Sequence, residues 1–279
     1  IQYIQNKKKG VGKFSYFGSA FRLNKKGDLS VFDQIGCEII NSKSSPEFLI
    51  LSTIMSVFQK LKKTEIIIND LALFQNLINS LDLPRRWKLR LIRHRSRKEY
   101  FDELLRRLDT NYDLDNEKIK IDYDRLTELK KMDINKIIGG RTVEEIIERF
   151  EKKIKDPRDN FRGSHSVKII KDFLRLKAPL DKSIYKLKNF FEKNNLNIKD
   201  LNTSILKLKD LHRKFGSKYT ISFNAQFGRE TQYYTGIAFA VHKQKKELAR
   251  GGEYNNLIKT LGGKQTSAFG AAINLNELK

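Results

Sequence analysis

At 279 residues and 39% hydrophobic side chains, the chain can bury one large core or two smaller ones, which excludes wholesale disorder. Its 56 basic and 33 acidic residues leave a net charge of +23, the footprint of nucleic-acid binding or of a lysine-rich solvated surface. The charges are spread along the chain without an RNA-reading motif, which favours the solvated surface.

A lone cysteine, Cys37, excludes an internal disulfide framework, and no paired Cys and His stand at metal-ligand spacing. No metal and no cofactor are therefore expected. No apolar run reaches the length needed to span a bilayer, and no secretory signal is visible, so the expected location is the cytoplasm. The chain begins at Ile1 inside what reads as an ongoing element, which predicts a further N-terminal region.

Lys13 to Leu23 and Val31 to Ile40 are rich in aromatic and branched residues and read as two strands joined by the turn-like Asn24-Lys25-Lys26-Gly27-Asp28. Cys37 lies in the second, in an apolar run that predicts a buried thiol. Ser45 to Leu61 carries Phe48, Leu51, Ile54, Met55, Phe58 and Leu61 at helical spacing. Thr64 to Ile68 reads as a short strand, and Asp70 to Leu81 as a helix.

From Arg85 to about Phe215 nearly everything reads as helical, Leu/Ile-periodic and charged. Arg85 to Lys98 predicts an amphipathic helix that packs Trp87 and Leu91 and leaves its cations in water. Gly139-Gly140 marks a loop, Thr142 and Glu145 form a capping-box pattern, and Pro157 and Pro179 interrupt later stretches. Tyr219 to Phe223 restores strand character, and strand-like runs separated by glycine turns follow from Phe227 to Leu278. The pattern predicts a mixed α/β domain in two parts, residues 1–84 and 217–279, split by a helical insertion over residues 85–216.

Candidate site residues gather in both parts. Gln34, Gly36 and Glu38 alternate along one strand and share a face, with Gly36 leaving room between its neighbours. Arg22 is an even number of residues from each. A carboxylate and an amide on one face can accept bonds from an ammonium or an imidazole N–H. The C-terminal part offers Arg229, Tyr233, Tyr234, Gly251, Gly252 and Tyr254. An arginine fork suits a carboxylate, and a tyrosine hydroxyl can orient a ring nitrogen. Singly, either of Tyr233 and Tyr234 reads as a core aromatic and Gly251-Gly252 as a hairpin bend; jointly these positions define a pocket.

That joint pattern resembles the class II histidyl-tRNA synthetase fold. Phe21-Arg22 followed by Phe32-Asp33-Gln34-Ile35-Gly36-Cys37-Glu38 matches the family's second motif, F-R then F-x-Q-x-G-x-E. Arg229 to Gly236 matches R-G-L-D-Y-Y-T-G, Gly251 to Asn255 matches G-G-R-Y-D, and Gly270 to Leu278 matches the third motif. The resemblance implies a mixed, mainly antiparallel sheet with flanking helices.

The departures carry the functional expectation. Glu277 replaces the third-motif arginine that grips ATP, the loop of Gly27 to Phe32 lacks the family's arginines, and Asn24 stands where an acidic residue is expected. Cations at such points stabilise triphosphate, and a glutamate repels it. The chain also stops at Lys279, which predicts no anticodon-binding domain. The sequence therefore looks like the regulatory subunit family of ATP phosphoribosyltransferase, and Asp70 to Pro84 and Gly139 to Phe150 resemble its bacterial members.

The resemblance implies a noncatalytic subunit that assembles with a short-form catalytic subunit, as a homodimer within a hetero-oligomer, with histidine as effector. Gln34 and Arg229 would meet histidine's amino and carboxylate ends, Glu38 and Tyr234 its imidazole, and Tyr254 would line the pocket. Gln232 and Glu253 depart from the family pattern there. The rivals are a histidyl-tRNA synthetase that activates histidine with ATP and a basic RNA-binding or amino-acid-sensing module. Neither a membrane nor nucleic acid is expected as a partner.

Overall fold

Alternation along the first strands sets two long ribbons side by side. The computed structural model describes residues 12–23, 27–42, 45–59, 61, 63–114, 116–156, 158, 163–197, 199–244 and 246–278. In chain order these form β1 (Gly12–Leu23), β2 (Leu29–Ile40), α1 (Pro46–Val57), β3 (Thr64–Asp70), α2 (Leu71–Ser80), α3 (Arg85–Arg93), α4 (Lys98–Thr110) and α5 (Asn116–Leu129). There follow β4 (Ile137–Ile138), β5 (Arg141–Thr142), α6 (Val143–Ile154), α7 (Ser164–Leu174), β6 (Lys177–Pro179), α8 (Leu180–Lys193) and α9 (Asn202–Phe215). The chain closes with β7 (Thr220–Asn224), β8 (Ile237–Lys243), β9 (Lys246–Glu253), α10 (Leu257–Thr260) and β10 (Ala268–Asn274), then a 3-10 turn, Leu275–Leu278. Residues 24–26 of the expected first turn and Pro157 lie outside the described residues. Among the described residues no helix is long and apolar enough to cross a membrane.

Two compact units result, Ile1–Leu81 with Ile170–Lys279, and Asp82–Ile169. The first is built on an eight-stranded sheet of order β1-β2-β10-β9-β8-β3-β7-β6. Every pair is antiparallel except β3 with β7. The helix α1 starts at Pro46, which fits the first turn because it needs no N–H there, and it buries Ile50, Leu51, Ile54 and Met55 at helical spacing. It packs on β2, β9 and β10. Asp70 caps α2 by accepting the Ala72 N–H at 3.0 Å. Phe239 and Phe269 stack with centroids 6.3 Å apart, and both are buried. Burying such side chains contributes about 1.5–3 kcal/mol each.

The helical run expected over residues 85–216 is interrupted. Lys177-Ala178-Pro179 form β6, which pairs with Ser222–Asn224 of β7. A proline fits this outer strand because it has no N–H to leave unpaired. That pairing places residues 170–216 with the sheet, not with residues 82–169. The basic run is likewise two helices: α3 ends at Arg93, and α4 begins at Lys98.

Within the second unit Trp87 and Leu91 are fully buried, as the amphipathic pattern predicts. The capping box of Thr142 and Glu145 opens α6, and Gly139 and Gly140 both take positive φ in the β4–β5 turn. Arg158 is the hub of this unit. Its guanidinium lies 4.1 Å from the Trp87 ring centroid, is 2% exposed, and donates to Asp113 at 2.9 and 3.1 Å and to Asp156 at 3.0 and 3.2 Å. The Trp87 indole N–H also donates to Asp156, at 3.2 Å. Burial opposes the charge on Asp156, but the bonds from Arg158 and Trp87 outweigh it and hold the carboxyl below its ordinary pKa.

Removing one partner strands the others without water, which costs about 3–5 kcal/mol for a buried pair. Arg158→Ala is therefore expected to lower the unfolding free energy by about that amount. Urea unfolding followed by the fluorescence of the single tryptophan measures it; a loss below about 1 kcal/mol would show that the cluster behaves as a surface ion pair.

Candidate functional site

The strand registers decide which residues meet. Tyr16, Gly36, Ala272 and Arg250 form one row across β1, β2, β10 and β9. Phe14, Glu38, Gly270 and Gly252 form the next, and Gly18, Gln34 and Asn274 flank the first row on its other side. Side chains two apart share a face, so these rows share one side of the sheet.

On that side opens a cavity of about 660 Å³, whose wall includes Tyr16, Arg22, Gln34, Glu38, Tyr233, Tyr234, Tyr254 and Arg250. Its floor is of small residues. A Cβ on Gly270 would lie 1.5 Å from Glu38 Oε2, and one on Gly36 would lie 2.2 Å from Tyr16 Cζ. Both glycines are thus needed for close approach, so that a carboxylate and a phenol can lie over the backbone.

At one end of the cavity Glu38 accepts a hydrogen bond from the Tyr254 hydroxyl. Burial pushes the Glu38 carboxyl above its ordinary pKa, and the Tyr254 bond offsets part of this. Burial, the Glu38 charge and the bond to it push the Tyr254 phenol up. Burial and Tyr233 do the same for Tyr234, and burial and Glu38 for Tyr16. The phenols therefore stay protonated at neutral pH. Tyr233 meets Tyr254 edge-on at 6.1 Å and Tyr234 at 5.0 Å. A carboxylate among aromatic rings suits a cation or an imidazole N–H. Gln34 Nε2 reaches toward the Tyr16 hydroxyl at 3.4 Å.

The other end is a charge network. Arg250 donates Nε and Nη2 to the two oxygens of Glu247 at 2.9 and 2.8 Å, and Nη1 to Glu230. Burial opposes the guanidinium charge, but the two carboxylates outweigh it and raise its pKa. Lys246 pairs with Glu277 at 2.8 Å.

Most of the expected residues converge here. Arg22 is on the wall, with its guanidinium 4.9 Å from the Phe32 ring centroid. Gly252 lies under Tyr234, whose ring a Cβ would meet at 2.9 Å, while Gly251 packs against Ala271 and Phe239. The glycine pair is therefore inside β9, not at a hairpin bend. Tyr234 belongs both to the wall and to a buried cluster with Leu71, Phe227, Ala238 and Ala240. Arg229 stands elsewhere. It is not among the wall residues, and its guanidinium lies 5.2 Å from the Phe74 ring centroid. Cys37 is half-buried on the opposite face of β2, and burial beside Glu38 raises its thiol pKa.

Tyr16, Lys246, Glu247 and Arg250 are wall residues that sequence reasoning missed. A signal existed for two of them. Tyr16 has the parity of Arg22 on β1, and Arg250 has that of Gly252 on β9.

The Histidyl-tRNA synthetase family matches residues 1–278 of this chain. A curated protein of Allorhizobium ampelinum named ATP phosphoribosyltransferase regulatory subunit is 25% identical over 288 residues, covering 95% of this chain and 76% of the relative. Among solved structures, an ATP phosphoribosyltransferase regulatory subunit/histidyl-tRNA synthetase from Bacillus halodurans superposes with a TM-score of 0.59 at 14% identity. That match covers 95% of this chain but spans only 57% of the other. A HisG:HisZ ATP phosphoribosyl transferase complex from Thermotoga maritima gives 0.55 at 14% identity, over 97% of this chain and 76% of that one. These structures establish the shared fold, a mixed and mainly antiparallel class II synthetase-like sheet with flanking helices.

Because burial disfavours ionised Glu38 in the fold, stability is lost as pH rises from the ordinary value of 4.5 through the raised one. Glu38→Gln cannot ionise and can still accept the Tyr254 bond. The variant is expected to melt above wild type at about pH 7 and level with it below about pH 4. Thermal unfolding across this range checks it, and a variant that is no more stable at neutral pH would contradict the assignment.

Proposed function

The chain belongs to the histidyl-tRNA synthetase family, and from that premise we propose that it is a noncatalytic regulatory subunit of ATP phosphoribosyltransferase. In this role it works with a short-form catalytic subunit at the first step of histidine biosynthesis, in which ATP and phosphoribosyl pyrophosphate give phosphoribosyl-ATP. The name carried by its curated relatives supports this. The assembly would contain a homodimer of this chain in the cytoplasm, with histidine as effector and catalysis in the partner.

The observation that carries the proposal is the contrast between the two ends of the cavity. The Glu38 end is built for a small ligand with a nitrogen donor: Gln34 for an amino group, Glu38 and Tyr234 for an imidazole, and Tyr233 and Tyr254 as walls. The other end gives triphosphate little to hold. Two of the three cations on the described wall, Lys246 and Arg250, are committed to three carboxylates, Glu277, Glu247 and Glu230, and the third, Arg22, lies against the Phe32 ring. Adenylation needs cations free to take up phosphate charge in the transition state.

An effector must also bind two states of the assembly with unequal affinity, because equal affinity shifts nothing. The test is the rate of the short-form catalytic subunit with and without this chain, and with added histidine. The chain is expected to raise the rate at least about tenfold and to make it histidine-sensitive. No change in either, or histidine-dependent ATP–pyrophosphate exchange by the chain alone, would reject the proposal.

A further inference from the structure

We infer that Arg250 is the anchor for the carboxylate of the amino acid taken by this cavity, and that Glu230 competes with that carboxylate for the anchor. The inference rests on the amino-acid reading of the cavity. Arg250 is in register with Ala272, and Ala272 with Gly36, which stands between Gln34 and Glu38 on β2. Two strand spacings separate the backbones of Arg250 and Gly36, about 10 Å. The Glu38 carboxyl leans over Gly270 on the strand between them, which narrows that gap for a small ligand. A ligand with its side-chain nitrogen donor at Glu38 thus carries its carboxylate toward Arg250, across a floor of Gly36, Gly270 and Ala272.

Arg250 has the chemistry for this. Its planar fork pairs with carboxylates through parallel hydrogen bonds. Glu247 already takes one edge, Nε and Nη2, from three residues away on the same strand. Glu230 takes Nη1 from the segment between β7 and β8. The two holders differ in exposure: the Glu230 side chain is 56% exposed and that of Glu247 30%. Glu230 is not part of the cavity wall, so releasing it frees Nη1 to turn to a ligand and leaves the wall intact. An ion pair with one exposed partner is weak, and a ligand's carboxylate can replace it. Arg229, the neighbouring cation, lies over Phe74 and off the wall.

Calorimetric titration of the full chain with L-histidine, and with histamine, which lacks the carboxylate, tests the assignment. Glu230→Gln is expected to tighten histidine binding by about two- to fivefold and leave histamine unchanged. Arg250→Gln is expected to weaken histidine by about tenfold or more, again without effect on histamine. Thermal unfolding shows whether Arg250→Gln still folds; should it not, Glu230→Gln decides alone. Weaker or unaltered histidine binding in Glu230→Gln overturns the inference. So does a loss in Arg229→Gln with none in a folded Arg250→Gln. Wild-type chain that binds neither probe removes the amino-acid reading itself, whereas wild type that binds histidine with the variants unchanged removes the Arg250 assignment alone.

Discussion

The antiparallel register between β2 and β10 is the constraint on which the rest of the structure depends. It sets Glu38 opposite Gly270 and Gly36 opposite Ala272, joining strands from opposite ends of the chain. Side chains alternate, so a slip of one residue would send Gln34, Gly36 and Glu38 to the other face and leave Ile35, Cys37 and Ile39 in the cavity. The packing allows no such slip. Glu38 can lie over β10 because its partner there is glycine, and a Cβ would occupy the space of the carboxylate.

Much of this was legible in the sequence because it depends on short-range periodicity. The parity of Gln34, Gly36 and Glu38, the burial of Trp87 and Leu91, and the capping box of Thr142 and Glu145 all follow from neighbours a few positions away. What sequence did not disclose is long-range. Nothing near Arg250 says that it faces Gly36 two strands over, and nothing near Tyr16 says that its ring covers a glycine of the next strand. The tripeptide of β6 is too short for alternation to show, and only pairing with β7 makes it a strand. Arg229 was placed by motif position, but its side chain turns to the aromatic face of Phe74.

Charge is handled alike at both centres. The chain carries +23 overall, and three of its buried or half-buried cations are bound to carboxylates. Arg158 has Asp113 and Asp156, Arg250 has Glu247 and Glu230, and Lys207 has Glu253 at 3.0 Å. Desolvation of such groups is costly, and each carboxylate offsets part of it. The excess positive charge is left on the solvated surface, where it costs little.

The sheet also ends differently at its two margins. On one side β6 is three residues long and closes with Pro179, which has no N–H to offer a further strand. On the other, β1 runs for 12 residues with apolar side chains, among them Phe17 and Phe21, well exposed. Among the described residues the sheet is therefore asymmetric: one margin is a 12-residue strand paired on one side alone, and the other is a tripeptide that ends in proline.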